Sequence, residues 1–141
     1  MTRPDEPAAT DPVHLFVYGT LMRGGCRSAV LAGCEFLGPA RTRPAFRLLD
    51  LGAYPGLVDG HAAIDGELYA VSAGVWRSLG PQLDTIEGVA IGLYERITIP
   101  LAESIATPPI EAVTYRYLGP CDDAADAGSR WVEPPGLSGT E

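Results

Sequence analysis

The sequence predicts an α+β fold, a small mixed and mainly antiparallel β-barrel with short helices. Five short runs have strand character and stand between glycine and proline punctuation, and one segment carries apolar residues at helical spacing. Strands in succession with one main helical segment argue for a sheet that curls on itself, not for a doubly wound parallel sheet. A chain of 141 residues suits a single domain that buries a full core without metal or disulfide support.

Residues 1–12 (MTRPDEPAATDP) are polar, acidic and proline-rich, which predicts a disordered N-terminal tail before a domain spanning 13–118. The first strand is HLFVYG, ending at Gly19; AFRLLDLG and IDGELYAV follow. In AGVWRSLGPQLDTIEG, Trp76, Leu79, Leu83 and Ile86 form one helical stripe. Gly80 and Pro81 interrupt it, and an internal proline loses a hydrogen bond and clashes one turn back, so two short helical pieces are expected, with Gly88 as the stop. In YERITIPL, Ile97, Ile99 and Leu101 alternate with Arg96, Thr98 and Pro100, a strand with one wet face that lies at an edge or ends at the proline. EAVTYRYL is the last strand, with Val113, Tyr115 and Tyr117 on one face. From Gly119 to Glu141 the chain is rich in Asp, Gly, Ser and Pro and reads as a flexible acidic tail, from which Trp131 stands out as a ring that should dock on the domain.

Composition removes several function classes. A net charge of -8 argues against a nucleic-acid partner, whose phosphates call for clustered cations. No apolar run approaches a membrane span and no signal-like segment opens the chain, so a soluble cytoplasmic protein without a membrane partner is expected. All ten basic residues are arginine, which excludes a Schiff-base lysine, a Walker lysine and a Ser-Lys dyad. Cys26, Cys34 and Cys121 lack paired-ligand spacing, and no HExxH or GxGxxG motif occurs, so neither a metal nor a cofactor is expected. Without GxSxG, and with only His14 and His61 as imidazole bases, serine hydrolase chemistry is disfavoured.

A carboxylate remains. Glu87 sits beside Gly88 with Leu83, Ile86 and Val89 as apolar neighbours, surroundings that raise a carboxyl pKa and suit a general base that then acts as an acid. Taken alone, it reads first as an exposed acid at a helix end and is not evidence of a site. Gly19 likewise reads as a simple turn or as a place where a ligand meets bare backbone.

The motifs VYGTLMRG (17–24), YPGL (54–57), DGELYAV (65–71), LDTIEG (83–88) and YER (94–96), taken in order, resemble the gamma-glutamylcyclotransferase-like family, which includes gamma-glutamylamine cyclotransferases. The resemblance runs from about Val13 to Leu118 and implies that family's small mixed barrel. It implies that Glu87 is the catalytic acid/base, that Tyr18, Gly19, Thr20 and Leu21 form the substrate-binding loop, and that Tyr94 and Tyr115 contact substrate. The implied reaction is attack of a gamma-glutamyl compound's α-amine on its own side-chain carbonyl, giving 5-oxoproline and a free amine. The partner is then a small gamma-glutamyl molecule. Two other readings stand beside it, a non-catalytic small-molecule binding module on the same fold and an interaction protein that uses its acidic tail.

Overall fold

The computed structural model describes residues 12–22, 24–25, 27–52, 54–102, 110–121 and 124–132. Among the described residues eight strands form two sheets, accompanied by one α-helix. In the larger, the order is β2 (Glu35–Arg41), β5 (Asp65–Val71), β1 (Val13–Val17), β7 (Glu111–Tyr117) and β6 (Tyr94–Pro100). β1 is therefore central, antiparallel to β5 and parallel to β7. Leu15 and Phe16 at its middle are buried, as befits a central strand. The smaller sheet pairs β3 (Phe46–Asp50) with β4 (Pro55–Asp59) on one side and β8 (Ala125–Asp126) on the other.

The parallel pairing of β1 and β7 brings two C-terminal strand ends side by side. Leu15 pairs with Val113, so Tyr18 leaves β1 beside Tyr115. Tyr94 opens β6 opposite Tyr117 at this same end. β5 runs the other way and finishes at Val71, opposite Val13. The helix α1 (Ala73–Ile86) then returns along the sheet. Its 14 residues span about 21 Å, close to the length of the seven-residue β5 at about 23 Å. The return places Glu87 at the end of the sheet where β1 stops.

α1 corrects the expectation of two short pieces. It is one helix with Pro81 inside it, capped by the Ser72 side chain accepting from Val75 N at 3.2 Å. The lost hydrogen bond would have gone to the Arg77 carbonyl, and Arg77 and Pro81 both lie on the exposed face, where water serves that carbonyl. Gly80 is buried, and its missing side chain makes room for the Trp76 ring. Gly88, with φ of 67°, ends the helix as expected.

The barrel is also corrected. The α+β class holds, but the larger sheet does not close. Its edge strands β2 and β6 touch at one corner, through the isolated bridge of Thr42 with Leu101 and an Ala102 N to Arg41 O bond of 2.9 Å. Pro39 in β2 and Pro100 in β6 have no N–H to extend that contact into a ladder. Pro100 does end an edge strand, as its sequence position predicts.

Part of the C-terminal segment packs on the domain. β8 pairs Asp126 with Leu49, and Trp131 is 4% exposed. Residues 1–11, Cys26 and residues 133–141 lie outside the described residues, and so do the outer portions of both expected tails. Among the described residues no helix is long and apolar enough to cross a membrane.

Candidate active site

A cavity of about 270 Å³ opens where β1, α1 and β4 converge. Its lining includes Tyr18, Gly19, Thr20, Leu21, Glu87, Tyr94 and Tyr115, so the fold brings all seven sequence-derived candidates to one hollow.

Glu87 is the C-cap of α1, its N–H donating to Leu83 O at 2.9 Å, which fixes its backbone at the cavity edge. Burial pushes its carboxyl up to about 7, and the Arg27 charge opposes that rise. Among the described residues no hydrogen bond holds the carboxyl group. The carboxyl can therefore exchange a proton near neutral pH, and no described residue ties up its oxygens.

The turn after β1 is closed by Met22 N donating to Gly19 O at 3.0 Å and by Arg27 N donating to Thr20 O at 2.9 Å. Among the described residues the N–H groups of Gly19, Thr20 and Leu21 take no backbone acceptor. Successive free N–H groups in a turn make a concavity for an anion. Gly19 is bare for a packing reason as well: a Cβ there would stand 2.8 Å from the Pro55 ring, which β4 presses against the turn.

Three tyrosines of the lining are held by hydrogen bonds to main-chain groups and to Asp84. Tyr18 donates its hydroxyl proton to Tyr115 O at 2.8 Å and accepts from Leu57 N at 3.2 Å. Tyr94 donates to Pro55 O at 2.6 Å. Tyr115 donates to Asp84 Oδ1 at 2.7 Å, and Arg96 grips the same carboxylate through Nε at 3.1 Å and Nη2 at 2.6 Å. Burial drives all three phenol pKa values upward, with the Glu87 charge adding to the rise, so each stays protonated. Arg96, on the wet face of β6, holds the Asp84 carboxylate, and its guanidinium carbon lies 5.3 Å from the Trp76 ring centre.

Sequence reasoning missed Arg27. It follows the turn as the residue preceding a short 3-10 segment at Ser28–Leu31, lines the cavity, and is exposed. In the sequence it stands four residues after Arg23 in the same Gly-rich and apolar stretch, and nothing there sets it apart. Tyr54 and Pro55, from the YPGL motif, supply another wall, with Tyr54 and Tyr94 ring centres 6.4 Å apart. Among the described residues no cluster of three or more His, Cys, Asp or Glu side chains could hold a metal ion.

The profile of the family described as gamma-glutamyl cyclotransferase, AIG2-like, matches residues 15–133. A Vibrio cholerae protein provisionally named a gamma-glutamylcyclotransferase is 46% identical over 87 residues, 61% of this chain and 71% of that one. The crystal structure of a mouse AIG2-like protein superposes with a TM-score of 0.71 at 23% identity, covering 89% of this chain and 92% of the other. An uncharacterised Pyrococcus horikoshii protein gives a TM-score of 0.61 at 22% identity, over 83% and 88% of the two chains. The last two likenesses concern the fold.

Proposed function

Since the chain belongs to the AIG2-like gamma-glutamyl cyclotransferase family, we propose that it cyclises a small gamma-glutamyl amine or amide to 5-oxoproline with release of the free amine. The observation that carries this reading is the half-buried Glu87 carboxyl, raised to about 7 on the lining of a cavity that the Gly19–Leu21 turn also lines. The substrate's α-ammonium gives a proton to the Glu87 carboxylate. The freed amine attacks the side-chain carbonyl carbon, and a five-membered ring closes. The C–N bond to the leaving amine then breaks as Glu87 returns the proton to that nitrogen, and the ring nitrogen, which kept two hydrogens through the attack, gives its surplus proton to the Glu87 carboxylate, from which it passes to the released amine as its ammonium form.

Nucleophile and electrophile belong to one molecule, so the cavity's main task is to hold the glutamyl chain bent. Well-oriented intramolecular attack reaches effective molarities of about 10⁵ to 10⁸ M. In this reading the N–H groups of Gly19 to Leu21 take the α-carboxylate or the developing oxyanion, and Arg27 adds a cation for a substrate carboxylate. Nothing in the steps calls for a metal or a cofactor.

The test is incubation of the purified protein with a panel of gamma-glutamyl compounds and detection of 5-oxoproline by mass spectrometry. Product is expected from at least one member. Glu87→Gln should lower kcat by about a hundredfold to ten-thousandfold, the usual worth of general acid/base help. Saturable binding of panel members with no product from any would instead favour a binding module on this fold.

A further inference from the structure

The hydroxyl protons of three cavity tyrosines, Tyr18, Tyr94 and Tyr115, have unambiguous directions. Tyr94 bonds a carbonyl, Tyr18 bonds a carbonyl and Tyr115 bonds a carboxylate. Carbonyl and carboxylate oxygens have no proton to give, so in each pair the phenol is the donor. A phenol that has spent its single proton can only accept. Tyr18 already accepts from Leu57 N, which leaves Tyr94 and Tyr115 as oxygens with lone pairs in reserve on the cavity lining.

We propose that Asp84 is a positioning residue that sets the hydrogen-bond polarity of this wall: by taking the Tyr115 proton, as Pro55 takes that of Tyr94, it leaves two phenol oxygens as acceptors beside Glu87, a wall for the substrate's α-ammonium group. The proposal rests on the gamma-glutamyl reading of the cavity. The turn of Gly19 to Leu21 and Arg27, which line the same cavity, bring N–H donors and a cation and suit carboxylate. An α-amino acid head group can then enter one way round, with its amine at the base.

Asp84 is equipped for the task. Burial opposes its ionisation, but the bonds from Arg96 and Tyr115 outweigh burial and hold its carboxyl below the usual carboxylate range, so it stays an acceptor. It lies one helical turn before Glu87, and the Arg96 fork ties that last turn of α1 to β6. With Asp84 removed, the Tyr115 proton must find another acceptor. A phenol donor on this wall would repel an ammonium group and compete with it for Glu87.

The experiment measures binding of two stable ligands by isothermal titration calorimetry. L-methionine sulfoxide carries S=O in place of the side-chain carbonyl and cannot cyclise; 4-(methylsulfinyl)butanoate is the same molecule without the ammonium group. Wild type should prefer the amino ligand by roughly tenfold or more, the scale of hydrogen bonds to a charged group. Asp84→Ala and Tyr115→Phe should each erase most of that preference while leaving the affinity for the desamino ligand unchanged. Circular dichroism establishes that each variant is folded, and either one alone suffices for the comparison. An equal loss for both ligands means a merely structural role and overturns the proposal, as do an unchanged preference in the variants and no preference in wild type. A wild-type protein that prefers the amino ligand yet releases no 5-oxoproline from any gamma-glutamyl compound overturns the proposed function and leaves this inference standing.

Discussion

Among the described residues Glu87 and Arg27 are the two charged side chains on the cavity lining, and each sets what the other can do. Burial raises the Glu87 pKa and Arg27 restrains the rise. A general base works as the carboxylate, so in the proposed reaction kcat/KM is lost as pH falls below about 7, by about tenfold per unit. Removing the cation removes the restraint. Arg27→Gln should therefore move the acidic limb of the kcat/KM profile to higher pH, a sign opposite to that for loss of a nearby carboxylate. It should also raise KM if Arg27 meets a substrate carboxylate. Both are read from one set of rate measurements between pH 5.5 and 9, and a limb that stays in place would remove Arg27 from the site's electrostatics. At this scale the sequence was informative about Glu87 because an acid among Leu83, Ile86 and Val89 is chemically conspicuous. It was silent about Arg27, whose placement depends on how the turn after β1 folds back through the Arg27 N to Thr20 O bond.

Among the elements, α1 combines the delivery of Glu87 with an internal defect. Pro81 forgoes one backbone bond on the solvent face and the helix continues through it. Pro81→Ala should restore that bond and stabilise the protein by about 1–3 kcal/mol, seen as a rise in Tm. A fall in Tm would mean that the ring's packing outweighs the missing bond. The helix and the five strands starting HLFVYG, AFRLLDLG, IDGELYAV, YERITIPL and EAVTYRYL were legible because their apolar spacing is regular. β2 and β4 were not. EFLGPAR places Gly38 and Pro39 in mid-strand, and the chain absorbs them with a bulge between Phe36 and Gly38, where Gly38 has φ of 129°. PGLVD opens on a proline and reads as a turn until β3 pairs with it. Continuity of α1 was hidden for a similar reason, since a proline's cost depends on whether the orphaned carbonyl faces water.

Across the whole molecule, the site exists because a central strand, a returning helix and a hairpin from the smaller sheet meet at one end of the larger sheet. The smaller sheet is completed from the C-terminal segment, where β8 pairs with β3 and Trp131 is buried. Trp131→Ala should cost about 3–5 kcal/mol by emptying a large core position, checked by denaturant unfolding. That closure and the open corner between β2 and β6 depend on pairings distant in sequence, which local patterns do not carry; the ordered motifs, in contrast, were enough to indicate the family. The central claim is that Glu87 is a proton carrier tuned by burial inside a substrate cavity. Its most direct test is a carbon-13 NMR titration of the Glu87 side-chain carboxyl, assigned by its loss in Glu87→Gln, set beside the pH profile of 5-oxoproline release. The account predicts a midpoint of about 7, matched by the acidic limb of the rate. A Glu87 that titrates near its ordinary value of 4.5, or a rate profile indifferent to its ionisation, would contradict it.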